Sequence, residues 1–213
     1  GDNLDSVIAQ MFEDTDLVER LHLSSVNSIN WCRVMFQSVH YFHAYFQVVK
    51  QPGDDVAFSV PTGAFGNMFA GYLAREMGLP VASLICANNR NAAVHRIFET
   101  NRFSRESLKQ TPSNAIDIAL PYNYWRFLYF VSGQNSEALK RWMSDFQENG
   151  FVEFDEVMMK GMAHGFLTAA VSDEETLSAI LEVFGAAQGY LLDPHGAVAV
   201  AAARKAFPRL TPG

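Results

Sequence analysis

The stretch from Val56 to Ala87 constrains the fold more than any other part of the chain. Val56-Ala-Phe-Ser-Val60 is a short continuous apolar run, suited to a strand buried on both faces. Gly66 to Met77 carries helical periodicity, and Gly78-Leu79-Pro80 breaks it. Val81-Ala-Ser-Leu-Ile-Cys-Ala87 is a second buried run. Strand, helix, strand in that order predicts a parallel pair joined by a right-handed crossover, the unit of an α/β protein. The chain has 213 residues, 49% hydrophobic and 18% charged, an ordinary globular composition that rules out disorder. A domain of this size buries on the order of 70% of its unfolded surface and needs neither disulfide nor metal to hold a core.

Other segments fit the same layering. Asn3 to Phe12 reads as a helix, and Asn27 to Val49 as a long one rich in aromatics, stopped by Pro52-Gly53. A short helix is expected around Ala92 to Glu99, followed by helices at Tyr122 to Val131 and Asn135 to Asn149, the latter capped by Asn135 or Ser136. Phe166 to Val171 reads as a strand, and Ser172-Asp-Glu-Glu opens a helix running to about Gln188. Tyr190-Leu-Leu reads as a short strand, Pro194 to Ala206 as a buried helix, and Pro208 to Gly213 as a loop. Neither the Gly-Asp-Asn opening nor this ending closes an architecture, so the fold is expected to be incomplete at both ends.

Charge and cysteine usage exclude several classes of function. The net charge is -7, and the five lysines (Lys50, Lys109, Lys140, Lys160, Lys205) form no run, which argues against nucleic acid or an anionic membrane as partner. No run of about 18 apolar residues suggests a membrane span. Cys32 and Cys86 lie in apolar stretches without metal spacing, so a reduced, cytoplasmic setting is expected. His40 and His43 stand three apart on the aromatic helix, but no third ligand is near, and no metal site is expected.

Two constellations point to anion binding. Ser59-Val-Pro-Thr-Gly63-Ala64-Phe65-Gly66-Asn67 joins the first strand to the next helix, at the carboxyl edge where ligands collect. Gly63 and Gly66 let the backbone turn tightly and bring its N–H groups close to a ligand, and the helix adds its positive end, so a phosphate is the natural occupant. The spacing is neither that of a dinucleotide fingerprint nor that of a P-loop. A plain glycine turn accounts for the same residues. The second constellation is Asn27-Ser28-Ile-Asn30-Trp-Cys-Arg33, where polar side chains and an arginine at a helix start can clamp a phosphate or carboxylate. Here too a bland account stands, with Asn27 or Ser28 simply capping the helix.

Four ordered segments carry a family resemblance: Ser25-Val-Asn-Ser-Ile-Asn-Trp-Cys-Arg33, Ser59 to Asn67, Asn114-Ala-Ile-Asp-Ile118 and Asp193-Pro-His-Gly-Ala-Val198. Together they resemble threonine synthase over nearly the whole chain. The resemblance implies a three-layer parallel α/β sheet with flanking helices, of the tryptophan-synthase-β-like type (pyridoxal-phosphate fold type II). It implies residues 1–213 as a portion of the catalytic domain, interior to late in the enzyme. The implied cofactor is pyridoxal 5'-phosphate, and the implied reaction is that of a carbon–oxygen lyase acting on phosphates. O-phospho-L-homoserine and water would give L-threonine and phosphate, in a cytoplasmic monomer or homodimer. Gly63, Ala64, Phe65, Gly66 and Asn67 match the cofactor-phosphate loop, and Asn27, Ser28 and Arg33 match residues gripping the substrate phosphate. The Asp193-Pro-His195 signature is expected to be structural.

Departures from the family pattern also matter. Ala64 replaces an asparagine usual in that loop, and Gly196 replaces a threonine. None of the five lysines has the phenylalanine-lysine-aspartate surroundings of the family's Schiff-base lysine, so that lysine is expected outside this chain, and the isolated chain is expected to be inactive. Three alternatives stand beside the enzyme: a related phospho-lyase releasing ammonia and a keto acid, a non-catalytic phosphate-ligand module, and a generic α/β sugar-phosphate or nucleotide binder.

Overall fold

The computed structural model describes residues 2–27, 30–186 and 189–207. The chain forms two compact units, Gly1–Arg33 and Val34–Gly213. The first holds α1 (Asp2–Glu13) and α2 (Thr15–Leu21), the latter capped by the Asp14 carboxylate accepting from the Leu17 amide. Helix α3 (Trp31–Val48) begins four residues later than its apolar pattern predicts. The cause is Asn30, whose Oδ1 accepts from the Cys32 amide at 3.0 Å and so takes the capping place expected of Asn27 or Ser28. Ser28 itself lies outside the described residues.

The larger unit is built on a parallel sheet of β1 (Val56–Pro61), β2 (Val81–Asn88) and β5 (Phe166–Ala170), in that spatial order. Helix α4 (Gly66–Glu76) connects β1 to β2, as the strand–helix–strand pattern requires. Alternation along β2 sends Leu84 and Cys86 into one core and Ile85 and Ala87 into the other, so both sheet faces are covered. On the first face lie Tyr41 and Tyr45 of α3, Met68, Phe69 and Tyr72 of α4, and Tyr124, Phe127 and Leu128 of α6 (Tyr124–Val131). On the second lie α9 (Asp173–Ala186) and α10 (Pro194–Ala206), whose Ala197, Ala201 and Ala202 let α10 come close to the strands. Helix, sheet, helix is the three-layer α/β arrangement that the family resemblance implies.

Between β2 and β5 run α5 (Ala93–Thr100), β3 (Arg102–Ser104), a single 3-10 turn at Asn114–Ile116, α6, α7 (Ser136–Asn149), β4 (Phe151–Glu153) and α8 (Glu156–Ala163). Strands β3 and β4 form a separate antiparallel pair, with Phe103 opposite Val152. Asn135, of the two candidates, caps α7, its Oδ1 accepting from the Ala138 amide. One expectation fails: Tyr190-Leu-Leu is not a strand. Tyr190 and Leu191 are exposed, and among the described residues no strand pairs with the segment before Asp193 caps α10. Gln188, the expected end of α9, and the Pro208 to Gly213 loop lie outside the described residues.

Candidate functional site

The β1–α4 corner is fixed at its entry by β2. The Thr62 amide donates to the Ala87 carbonyl at 2.8 Å, and Asn88 Nδ2 donates to the Thr62 carbonyl at 2.9 Å. Gly63 then passes so close to the 114–118 segment that a Cβ there would lie 2.8 Å from Ile118 Cγ1 and 2.9 Å from Ile116 Cα. Only glycine permits this approach. The Ala64 carbonyl accepts from the Asn123 amide at 3.1 Å, which pins the next peptide from the α6 side.

Phe65 is the N-cap residue of α4 and is left-handed, at φ 68°, ψ 1°. A bulky residue there costs on the order of 1–3 kcal/mol, and the cost is sustained only if the surroundings fix it. They do: the Phe65 ring is buried and meets Tyr124 edge-on at 4.9 Å and Phe127 at 5.4 Å. A left-handed residue followed by a helical one turns successive N–H groups toward one side, the geometry of an anion-binding nest. Among the described residues, the amides of Gly63, Ala64, Phe65, Gly66 and Asn67 meet no acceptor. Orphan donors, the positive end of α4 and the absence of any acid from 61–67 suit a phosphate group.

Asn67 carries the only side chain of the loop with amide donors. Its carbonyl and its Oδ1 both face the Tyr41 hydroxyl at 2.9 Å, and its Nδ2 donates to Gln37 Oε1 at 3.3 Å. Below it a cavity of about 190 Å³ opens between α3 and β1, lined by His40, Tyr41, Phe58, Ser59 and Asn67 among others. The structure therefore brings Gly63, Ala64, Phe65, Gly66 and Asn67 together in one turn, and adds Tyr41, Gln37 and Asn123 as supports. Sequence spacing could not reveal these supports, because they lie 26 to 59 residues from their partners and share no local pattern with them.

The 114–118 segment, against which Gly63 rests, has its own scaffold. Asp117 accepts from Asn89 Nδ2 at 2.8 Å, Asn91 Nδ2 at 3.1 Å, Thr111 Oγ1 at 2.7 Å and the Thr111 amide at 2.9 Å. His195 Nε2 accepts from the Ala115 amide at 3.1 Å, while Asp193 caps α10 through the Gly196 amide. Through these bonds the Asp193-Pro-His195 signature braces another of the four segments.

In the smaller unit, Arg33 is exposed and its Nη1 donates to the Val26 carbonyl at 2.6 Å. The Asn27 carbonyl accepts from the Asn30 amide at 2.9 Å, and Asn30 Nδ2 reaches the Ser25 carbonyl at 2.9 Å. Asn27 and Arg33 therefore share one tight turn at the start of α3. Elsewhere, burial pushes the Cys86 thiol up to about 12 despite a hydrogen bond with Thr62, so it is not a nucleophile. His40 and His43 are both exposed. Among the described residues no cluster of three His, Cys, Asp or Glu could hold a metal ion, and no helix is long and apolar enough to cross a membrane.

No family model matches the chain. It is 42% identical over 204 residues to threonine synthase of Pseudomonas aeruginosa, covering 96% of this chain and 43% of that protein. It is 38% identical over 205 residues to human threonine synthase-like 2, covering 94% and 42%. Among solved structures, PLP-bound threonine synthase from Brucella melitensis superposes with a TM-score of 0.88 at 36% identity, over 96% of this chain and 44% of that one. A parallel sheet covered on both faces, with a glycine corner opening a helix, is here the tryptophan-synthase-β-like fold of the PLP enzymes of type II. Within that class, the chain belongs to the threonine synthase family. It spans less than half the length of the relatives it matches.

Proposed function

We propose that this chain, residues 1–213, is a portion of the catalytic domain of a PLP-dependent lyase. The enzyme converts O-phospho-L-homoserine and water to L-threonine and inorganic phosphate. The observation that carries this reading is the nest of acceptor-free amides at Gly63–Asn67, in a chain 42% identical to a threonine synthase. When bound, pyridoxal phosphate supplies an electron sink for proton loss next to the substrate amine. The residues of this chain bind and orient. The Gly63–Asn67 amides and the end of α4 neutralise the cofactor phosphate, and the Asn67 carboxamide adds a directed donor. Asn27, Ser28 and Arg33 grip the substrate phosphate, Arg33 as a charge-assisted donor. Such groups lower the barrier by positioning and by pre-set electrostatics, while a lysine outside this chain attaches the cofactor. The net charge and the lack of a lysine run fit a small-molecule substrate, Cys32 and Cys86 without metal spacing fit a reduced, cytoplasmic setting, and the enzyme is read as a monomer or homodimer.

Ala64 favours a second reading, because it leaves a small apolar side chain where the family pattern has a carboxamide. The altered loop suits a phospho-lyase acting on a related amino-acid phosphate. Product analysis on the complete polypeptide, given pyridoxal phosphate and O-phospho-L-homoserine, separates the two. Threonine and phosphate in equal amounts are expected. Ammonia and a keto acid in place of threonine would establish the phospho-lyase instead.

A further inference from the structure

Helix α4 holds a glycine, Gly71, in its interior, where glycine costs about 1 kcal/mol relative to alanine. The structure shows what occupies the vacated space. A Cβ at Gly71 would lie 2.7 Å from both Cε1 and Cζ of Tyr41 and 2.9 Å from its hydroxyl. The missing methyl lets the phenol lie flat on the first turns of α4 and reach Asn67. Tyr41 is 4% exposed, and its hydroxyl stands 2.9 Å from both the carbonyl and Oδ1 of Asn67.

From this geometry we infer that Tyr41 is a positioning residue for the anion site, acting through Asn67. The phenol lies beside both oxygens and donates its single proton to them, which holds the Asn67 side chain against the first turn of α4 with Oδ1 facing the hydroxyl and Nδ2 turned outward. One N–H of Nδ2 goes to Gln37 Oε1, and the second remains for a ligand at the mouth of the nest. Burial holds the Tyr41 hydroxyl far above the ordinary tyrosine range, so it stays protonated throughout the working pH range. The inference rests on the reading of Gly63–Asn67 as a phosphate cradle.

The test is equilibrium dialysis of the complete polypeptide against pyridoxal phosphate and, separately, against inorganic phosphate. Tyr41→Phe keeps the ring and removes the donor, and should weaken both ligands about threefold to tenfold, as for loss of one hydrogen bond. Asn67→Ala should weaken them at least as much, and Tyr41→Phe should cost nothing further in that background. Gly71→Ala, which displaces the ring, should follow the same rule. An unchanged affinity in Tyr41→Phe, or losses that multiply in the double variant, would overturn the inference even if the variants melt at lower temperature. Failure of the unaltered protein to bind either ligand would overturn the cradle itself, and the inference with it.

Discussion

His195 Nε2 accepts the Ala115 amide across 80 residues of sequence, at 3.1 Å. The bond joins the start of α10 to the segment whose next residue, Ile116, stands directly over Gly63. A residue 80 positions further along the chain thus helps set the wall against which the glycine turn is pressed. Replacing it should loosen that wall. His195→Ala should lower stability by about 1 kcal/mol, the usual worth of one hydrogen bond. It should also speed hydrogen exchange at the Ala115 amide more than at amides of the β1–β2 ladder. Urea melts and exchange measured by NMR check the two parts.

Gly63 offers a sharper test, because the clash is with backbone and branched side chain rather than with a flexible tip. A methyl placed 2.9 Å from Ile116 Cα and 2.8 Å from Ile118 Cγ1 must push the 114–118 segment away or tilt the turn. Gly63→Ala should cost about 1–3 kcal/mol, the range for overpacking. Its affinity for pyridoxal phosphate should fall by a larger factor than its stability loss alone explains, since the turn carries the amide donors. Dialysis well below the melting temperature separates the two effects.

The βαβ frame was legible because Val56–Val60 and Val81–Ala87 are continuous apolar runs, and such runs suit strands with both faces covered. The glycine corner was legible because its residues are contiguous. What escaped was set by tertiary contact. Strands β3 and β4 are three residues each and exist through their pairing, which no periodicity marks. Helix α3 starts at Trp31 because the Asn30 carboxamide caps it, although the apolar pattern begins earlier. Tyr190-Leu-Leu has strand-like residues, but among the described residues no strand pairs with it. Tyr41 reads as one more ring in an aromatic stripe, and its contact with Asn67 depends on a glycine 30 residues away.

Glu175 sets an acid limb of stability. Burial raises its carboxyl, but the hydrogen bond from Lys205, the Ser172 amide and the Lys205 charge outweigh it and hold the group below its ordinary value of 4.5. Ser172 Oγ in turn accepts from the Glu175 amide at 3.1 Å, completing a capping box, and Lys205 also donates to the Ala170 carbonyl at the end of β5. A depressed folded-state value means that the stabilisation is present above the unfolded value and is lost as pH falls through the folded one. Stability should therefore decline below about pH 4.5 partly through this group. Glu175→Gln should lower stability near neutral pH and flatten the acid limb. Because the side chain is 41% exposed, the effect should shrink at high salt. Melting temperature against pH, at two salt concentrations, reads both.

Arg33 tests the assignment of the second anion site. Its Nη1 already donates to the Val26 carbonyl, so the guanidinium is held in place by the turn it follows and its other N–H groups remain directed. A pre-set charged donor strengthens binding of a phosphate without taking part in proton transfer. Removing it from the complete enzyme should weaken binding of the phosphorylated substrate by roughly 1.5–3 kcal/mol, the worth of a hydrogen bond to a charged group. In the proposed assignment the cofactor phosphate is held by the Gly63–Asn67 amides, so its affinity should stay nearly constant. Arg33→Ala should therefore raise KM by at least tenfold while the pyridoxal phosphate Kd moves less than threefold, on the scale of about 1.4 kcal/mol per tenfold. Arg33→Lys keeps the charge but not the fork, and should fall between the two. If substrate and cofactor affinities fell together, Arg33 would belong to the cofactor site or to the fold.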